Sequence, residues 1–213
     1  MNEPRAVDGP RPRVALTLDA EHPDRPGAST GTVDRILATL EATRTPATFF
    51  LQGRWSQAEP ASAARIAADG HLVGNHSHHH ARMTLLSDGG IRADLEEADA
   101  AVFDATGVRT RPWFRCPFGD GHDDPRVLGL LRDLGYRNVH WHVVLEDWEP
   151  WRTAAAIARD AIEGAERHGD GAVVLLHTWP DRTADALPMI VEGLRARGSE
   201  IVRIDALPED GLP

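Results

Sequence analysis

Hydrophobic positions along the chain switch repeatedly between continuous or alternating apolar runs and a 3.6-residue period. Residues 14–19 form a short apolar run closed by an acid, which predicts a buried strand. Val33, Ile36, Leu37 and Leu40 then recur at helical spacing and predict a helix over 32–44. The same reading predicts strands over 47–52, 71–76, 113–116, 136–142, 172–177 and 200–204. Between them it predicts helices over 60–69, 90–106, 125–134, 151–168 and 184–197. Pro125 sits near one helix start, and Gly70, Gly135 and Gly198 follow helix ends, as proline and glycine chemistry favours. About seven strand–helix steps of this kind indicate an α/β fold with a parallel sheet.

At 213 residues, 41% of them hydrophobic, the chain is long enough for one domain with a continuous core. That domain is placed at 13–207, with tails at 1–12 and 208–213. One cysteine, Cys116, rules out an intramolecular disulfide and reads as a small buried residue. The first ten residues hold no apolar run of the signal-peptide kind, and no segment approaches the roughly 18 apolar residues of a membrane span. These features lead us to expect a cytoplasmic protein with no membrane partner. A net charge of −10 argues against a nucleic-acid surface.

In parallel α/β folds the C-terminal ends of the strands carry the chemistry. Here they carry Asp19, His76, Arg115, Asp147 (just past its strand) and His177. His76 and His80 are four residues apart, and one helical turn would present both imidazoles to a divalent metal. His78 and His79 would point elsewhere on that turn, either into solvent or behind the ligands as their support. Asp19 can bind a metal or accept a proton. Arg115 can hold a carboxylate, and the Pro117-Phe118-Gly119 turn can aim a backbone N–H at a developing oxyanion. His177 beside Asp147 makes an oriented acid–base catalyst. Trp148 reads equally as a substrate platform or a rim aromatic.

Taken in order, these segments resemble the five motifs of the polysaccharide deacetylases, the NodB-homology group. Thr17-Leu18-Asp19-Ala20 is similar to the family's Thr-Phe-Asp-Asp, and His76-Ser77-His78-His79-His80 to His-Ser/Thr-x-x-His. Arg115-Cys116-Pro117-Phe118, Asp147-Trp148 and Leu175-Leu176-His177 match the remaining three. The resemblance implies a distorted, incomplete (β/α) barrel and metal-dependent hydrolysis of N- or O-acyl groups. It implies Asp19 as base, His76 and His80 as metal ligands, Arg115 as the residue that tunes the base, the Phe118 N–H at the oxyanion, and Asp147 orienting His177 as acid. The metal expected is zinc, with cobalt, nickel, iron or manganese as alternatives. Two departures stand out. Ala20 occupies the place of a metal-binding Asp, for which Glu21, one residue later and one methylene longer, is the candidate replacement and His22 a weaker one. Val144 replaces the first Asp of the fourth motif.

The function expected is removal of an acyl group from an amide of a soluble amino sugar or related small molecule, by metal-activated water with an Asp base and a His acid. The alternatives are a cyclic amide or imide hydrolase on the same scaffold and a non-catalytic binding protein with a degenerate metal site.

Overall fold

The computed structural model describes residues 10–22, 31–208 and 212–213; the rest of both expected tails lies outside the described residues. Eight strands form one all-parallel sheet: β1 (Arg13–Ala20), β2 (Thr48–Leu51), β3 (Leu72–Asn75), β4 (Trp113–Phe114), β5 (Arg137–Asn138), β6 (Val143–Val144), β7 (Ala172–His177) and β8 (Glu200–Val202). Helices α1 (Thr32–Thr43), α2 (Gly53–Ala58), α3 (Pro60–Ala68), α4 (Asp88–Thr106), α5 (Pro125–Asp133), α6 (Ala154–His168) and α7 (Asp181–Ala196) connect them. None of the described helices is long and apolar enough to cross a membrane.

The strand order β5-β4-β3-β2-β1-β7-β6 puts β5 and β6 at opposite edges. Yet they are consecutive in sequence, and five residue steps from Asn138 to Val143 span at most about 18 Å. The sheet must therefore curl until its edges nearly meet, as an incomplete barrel. β8 pairs with β1 at Arg13–Ala15, on the edge that β2 occupies from Thr17 onward.

Strand alternation divides the core. Val14, Leu16, Leu18 and Ala20 face outward and pack with Leu37 of α1 and Ile190 of α7. Ala15, Phe50 and Val173 face the barrel interior with Trp113 and Val139. Gly74 also faces inward, because a Cβ there would lie 2.7 Å from the Phe50 ring.

Four sequence expectations change. The strand expected over 136–142 is only β5, at Arg137–Asn138; β6 begins one residue past the expected end, and the reason for the gap between them is Arg115. Its Nε donates to the Val139 carbonyl (3.0 Å) and its Nη2 to the His140 carbonyl (3.0 Å), so both are taken from any sheet ladder. Helix α2 was not expected; the start of α6 moves from 151 to 154, where the Thr153 hydroxyl accepts the Ala156 N–H. The described ends of the two tails are docked, not loose. Pro12 accepts from Glu200 N–H, Leu212 packs on the inner cluster, and Pro213 accepts from His140 N–H.

Arg115 also donates from Nη1 to Asp19 Oδ1 at 2.8 Å, and both side chains are buried. Arg115→Met should leave a buried carboxylate and two carbonyls unpaired, and cost about 3–5 kcal/mol in urea unfolding. A loss within experimental error would show that the seam is held by something else. A second prediction concerns acid. His142 Nδ1 accepts the Val173 N–H (3.1 Å), and its ring stacks on His168 with centroids 3.7 Å apart. Burial, aided by His168, pushes its pKa from 6.5 down to about 4. The unfolded chain takes up this proton first, so the contribution is complete above about pH 6.5 and is lost as pH falls toward 4. His142→Asn retains an acceptor without the titration. Its urea midpoint should drop less between pH 7 and pH 5 than that of the wild type, whereas equal drops would remove His142 from the account.

Candidate active site

The C-terminal ends of β1, β3, β4 and β7 converge on a pocket of about 300 Å³. On β1, Asp19 faces inward and Ala20 outward into the core; Glu21, the next residue, returns to the inner side. The one-residue step from position 20 to 21 therefore sets two carboxylates on the same side of the strand end. Both are buried, at 3% and 5% exposure.

His76 leaves β3 into a loop, not the helical turn expected from the spacing. Ser77 and His80 have φ of 66° and 56°, in the left-handed region that no right-handed helix admits. The loop is held by side chains instead. Asn75 Oδ1 accepts the Ser77 N–H, Ser77 Oγ accepts the His80 N–H, and Asp94 on α4 accepts the N–H groups of His78 and His79. The result still brings His76 and His80 together, with ring centroids 4.9 Å apart.

His76 Nδ1 donates to the Arg115 carbonyl (3.0 Å), which leaves Nε2 as its nitrogen for a ligand. That Nε2 lies 3.2 Å from Glu21 Oε2 and 3.6 Å from Asp19 Oδ2. His80 Nε2 also touches Glu21 Oε2. The ligand atoms of Glu21, His76 and His80 all lie within 4.8 Å of one another, an arrangement that can hold a metal ion. Glu21 Oε1 is engaged separately, by Trp179 Nε1 (3.3 Å) and His22 Nε2 (3.1 Å). Burial opposes the charge on Glu21, and the surrounding imidazoles outweigh it and hold its pKa well below the usual carboxylate range.

Across the pocket, His177 ends β7. Its Nδ1 donates to Asp147 Oδ1 (2.7 Å) and its backbone N–H to Asp147 Oδ2 (2.8 Å). Thr183 Oγ1 adds a third bond to Asp147, so the carboxylate is satisfied although Val144 offers it nothing polar. Burial lowers the pKa of His177, but Asp147 more than compensates and raises it to about 9. His177 Nε2 lies 3.9 Å from Glu21 Oε1.

Every candidate residue is accounted for. Asp19, Glu21, His76, His80, Phe118, Trp148 and His177 line the pocket, with Arg115 and Asp147 directly behind Asp19 and His177. Phe118 has φ 58°, and its ring packs on His80. Trp148 stands nearly perpendicular to His177, centroids 5.1 Å apart. The sequence reading missed Trp141 and Trp179 as pocket walls, and Asp94 as the anchor of the loop. Trp179 carried a readable signal, two residues beyond His177; Asp94 carried none. Five of the six left-handed non-glycine residues among those described surround this site: His22, Ser77, His80, Phe118 and Glu146.

A family model described as polysaccharide deacetylase matches residues 6–139. The chain belongs to the polysaccharide deacetylase family. This family member is 32% identical to a chitooligosaccharide deacetylase of Rhizobium leguminosarum bv. trifolii, over 77% of this chain and 80% of that one. It is 31% identical to the peptidoglycan-N-acetylglucosamine deacetylase PgdA of Listeria monocytogenes over 92% of its own length, and spans 38% of that protein. Among solved structures, a Bacillus anthracis protein described as a CE4 family pseudoenzyme superposes with a TM-score of 0.80 at 27% identity, covering 92% of this chain and 65% of that one.

If Glu21 takes the place left open by Ala20, Glu21→Ala should weaken zinc binding much more than His22→Ala, measured by titration calorimetry. Near wild-type affinity in both variants would mean that the third position is filled by water.

Proposed function

We propose that this protein is a metal-dependent N-deacetylase acting on an acylated amino sugar or a related small molecule. The observation that carries the reading is the juxtaposition of two sets. Glu21, His76 and His80 face one another, flanked by Asp19 with Arg115 and by His177 with Asp147. The donor set of two imidazoles and one carboxylate suits zinc, and His76 Nδ1–H bound to a carbonyl is the usual outer support of a ligating histidine. A divalent ion held there supplies Lewis-acid polarisation of an acyl oxygen and makes water acidic enough to attack near neutral pH.

The chain's own groups take the remaining roles. Arg115 fixes Oδ1 of Asp19 and leaves Oδ2 turned toward His76, where it can accept a proton from attacking water. Asp147 fixes Nδ1 of His177, so that Nε2 carries the proton delivered to the leaving nitrogen. The Phe118 N–H, on the turn at the pocket rim, is the oxyanion donor in this reading. Trp141, Trp148 and Trp179 give aromatic walls for the face of a sugar ring, and the volume is at the small end of ligand pockets, which favours a short substrate over a polymer.

The likeness to a pseudoenzyme and the presence of Ala20 favour one second reading, a binding protein without catalysis. Turnover separates the two. Zinc-loaded protein should release acetate from N-acetylglucosamine oligomers, and a panel including cyclic imides tests the substrate class. Asp19→Asn and His177→Ala should each lose about 10²–10⁴-fold in kcat with the fold intact. Wild-type turnover in a folded, zinc-loaded Asp19→Asn variant would move the base elsewhere, and inactivity of the wild type across the panel would favour the binding protein.

A further inference from the structure

The loop that carries His76 and His80 has a second side. His78 is buried there, at 3% exposure, while His79 and Glu97 are about half exposed at the surface. Glu97 Oε1 lies 3.3 Å from His78 Nε2, and Glu97 Oε2 lies 3.7 Å from His79 Nε2. The two imidazole rings stand at 82° with centroids 4.6 Å apart. One ligand atom from each of the three residues lies within 4.8 Å of the others.

These separations are long for hydrogen bonds, whose N···O distances fall near 2.7–3.2 Å. Bonds of about 2.0–2.1 Å to a tetrahedral ion give ligand–ligand edges of about 3.3 Å, the separation of Glu97 Oε1 from His78 Nε2, and the carboxylate's other oxygen faces His79. The frame is already built. Asp94 and Glu97 are three apart on α4 and so share a face of the helix. Asp94 binds the backbone N–H groups of His78 and His79 at 2.9 and 3.1 Å, while Glu97 meets their imidazoles. One helix face thus fixes both the backbone and the side chains of the pair.

We propose that His78, His79 and Glu97 form a second divalent-cation site, for zinc or a similar borderline ion, that ties the loop to α4 from outside the pocket. It shares no residue with Glu21, His76 and His80, and it does not depend on the catalytic reading. An ion there would add a cross-link to the loop that presents His76 and His80, so occupancy should raise thermal stability without entering the pocket.

The test is zinc stoichiometry on the full chain, by equilibrium dialysis against zinc chloride with elemental analysis. Wild type should show a class of zinc that His76→Ala retains and that His79→Ala loses. Glu97→Gln, which preserves volume but removes the anionic ligand, should weaken that class by more than the roughly tenfold that losing an outer support of a ligand costs. The zinc-dependent rise in Tm assigned to that class should disappear in the same two variants. Because His79 and Glu97 are at the surface, both variants are expected to fold. Absence of any zinc from the His76→Ala protein would overturn the second site. So would a zinc class unchanged in a His79→Ala, Glu97→Gln double variant.

Discussion

A fully buried guanidinium–carboxylate pair holds this barrel in shape. Arg115 places a positive charge in the interior, where burial without partners would be prohibitive. The fold meets that demand from three directions: the Asp19 carboxylate on β1, the carbonyls of Val139 and His140 in the gap between β5 and β6, and the face of the Phe50 ring 4.2 Å away. The same contacts tie β1 to the segment that links β5 to β6 and orient the carboxylate at the head of the site. Structure and chemistry thus share one side chain, and the gap in the sheet is the price of satisfying it.

Around this pair the pocket is built from strand ends and stiff loops. His76 reads the position of Arg115 through the Arg115 carbonyl, Asp19 through its carboxylate, and Glu21 through β1 alternation. A displacement of β4 would therefore be felt at His76 and Asp19 together. His177 is independent of Arg115, because its orientation comes from Asp147 and Thr183. The two halves of the site have separate supports, joined by the parallel pairing of β1 with β7 that sets Asp19 opposite His177.

Much of this was legible in the sequence, for physical reasons that can be named. β1, β2 and β7 are continuous apolar runs because they are buried on both faces, and such runs stand out. The strand-end positions of Asp19, His76, Arg115 and His177 followed from that. β5 and β6 were not legible as separate strands, since their interruption is caused by an arginine more than twenty residues earlier. The pairing of His76 with His80 was readable, but its conformation was not. The loop depends on Asp94, fourteen residues beyond His80, and on left-handed backbone that spacing does not reveal. Glu21 stood out as a neighbour of Ala20. The alternation that turns Ala20 into the core and Glu21 to the pocket is what gives that choice its mechanism.

The cluster of left-handed residues has a thermal consequence. His22, Ser77, His80, Phe118 and Glu146 each hold a backbone state that L-residues disfavour by about 1–2 kcal/mol, against a net stability for a whole domain of about 5–15 kcal/mol. The surrounding packing maintains them, and the strain they carry lowers the cost of opening the mouth locally. The mouth of the barrel should therefore relax as a local unit, at temperatures where the strands behind it are still intact.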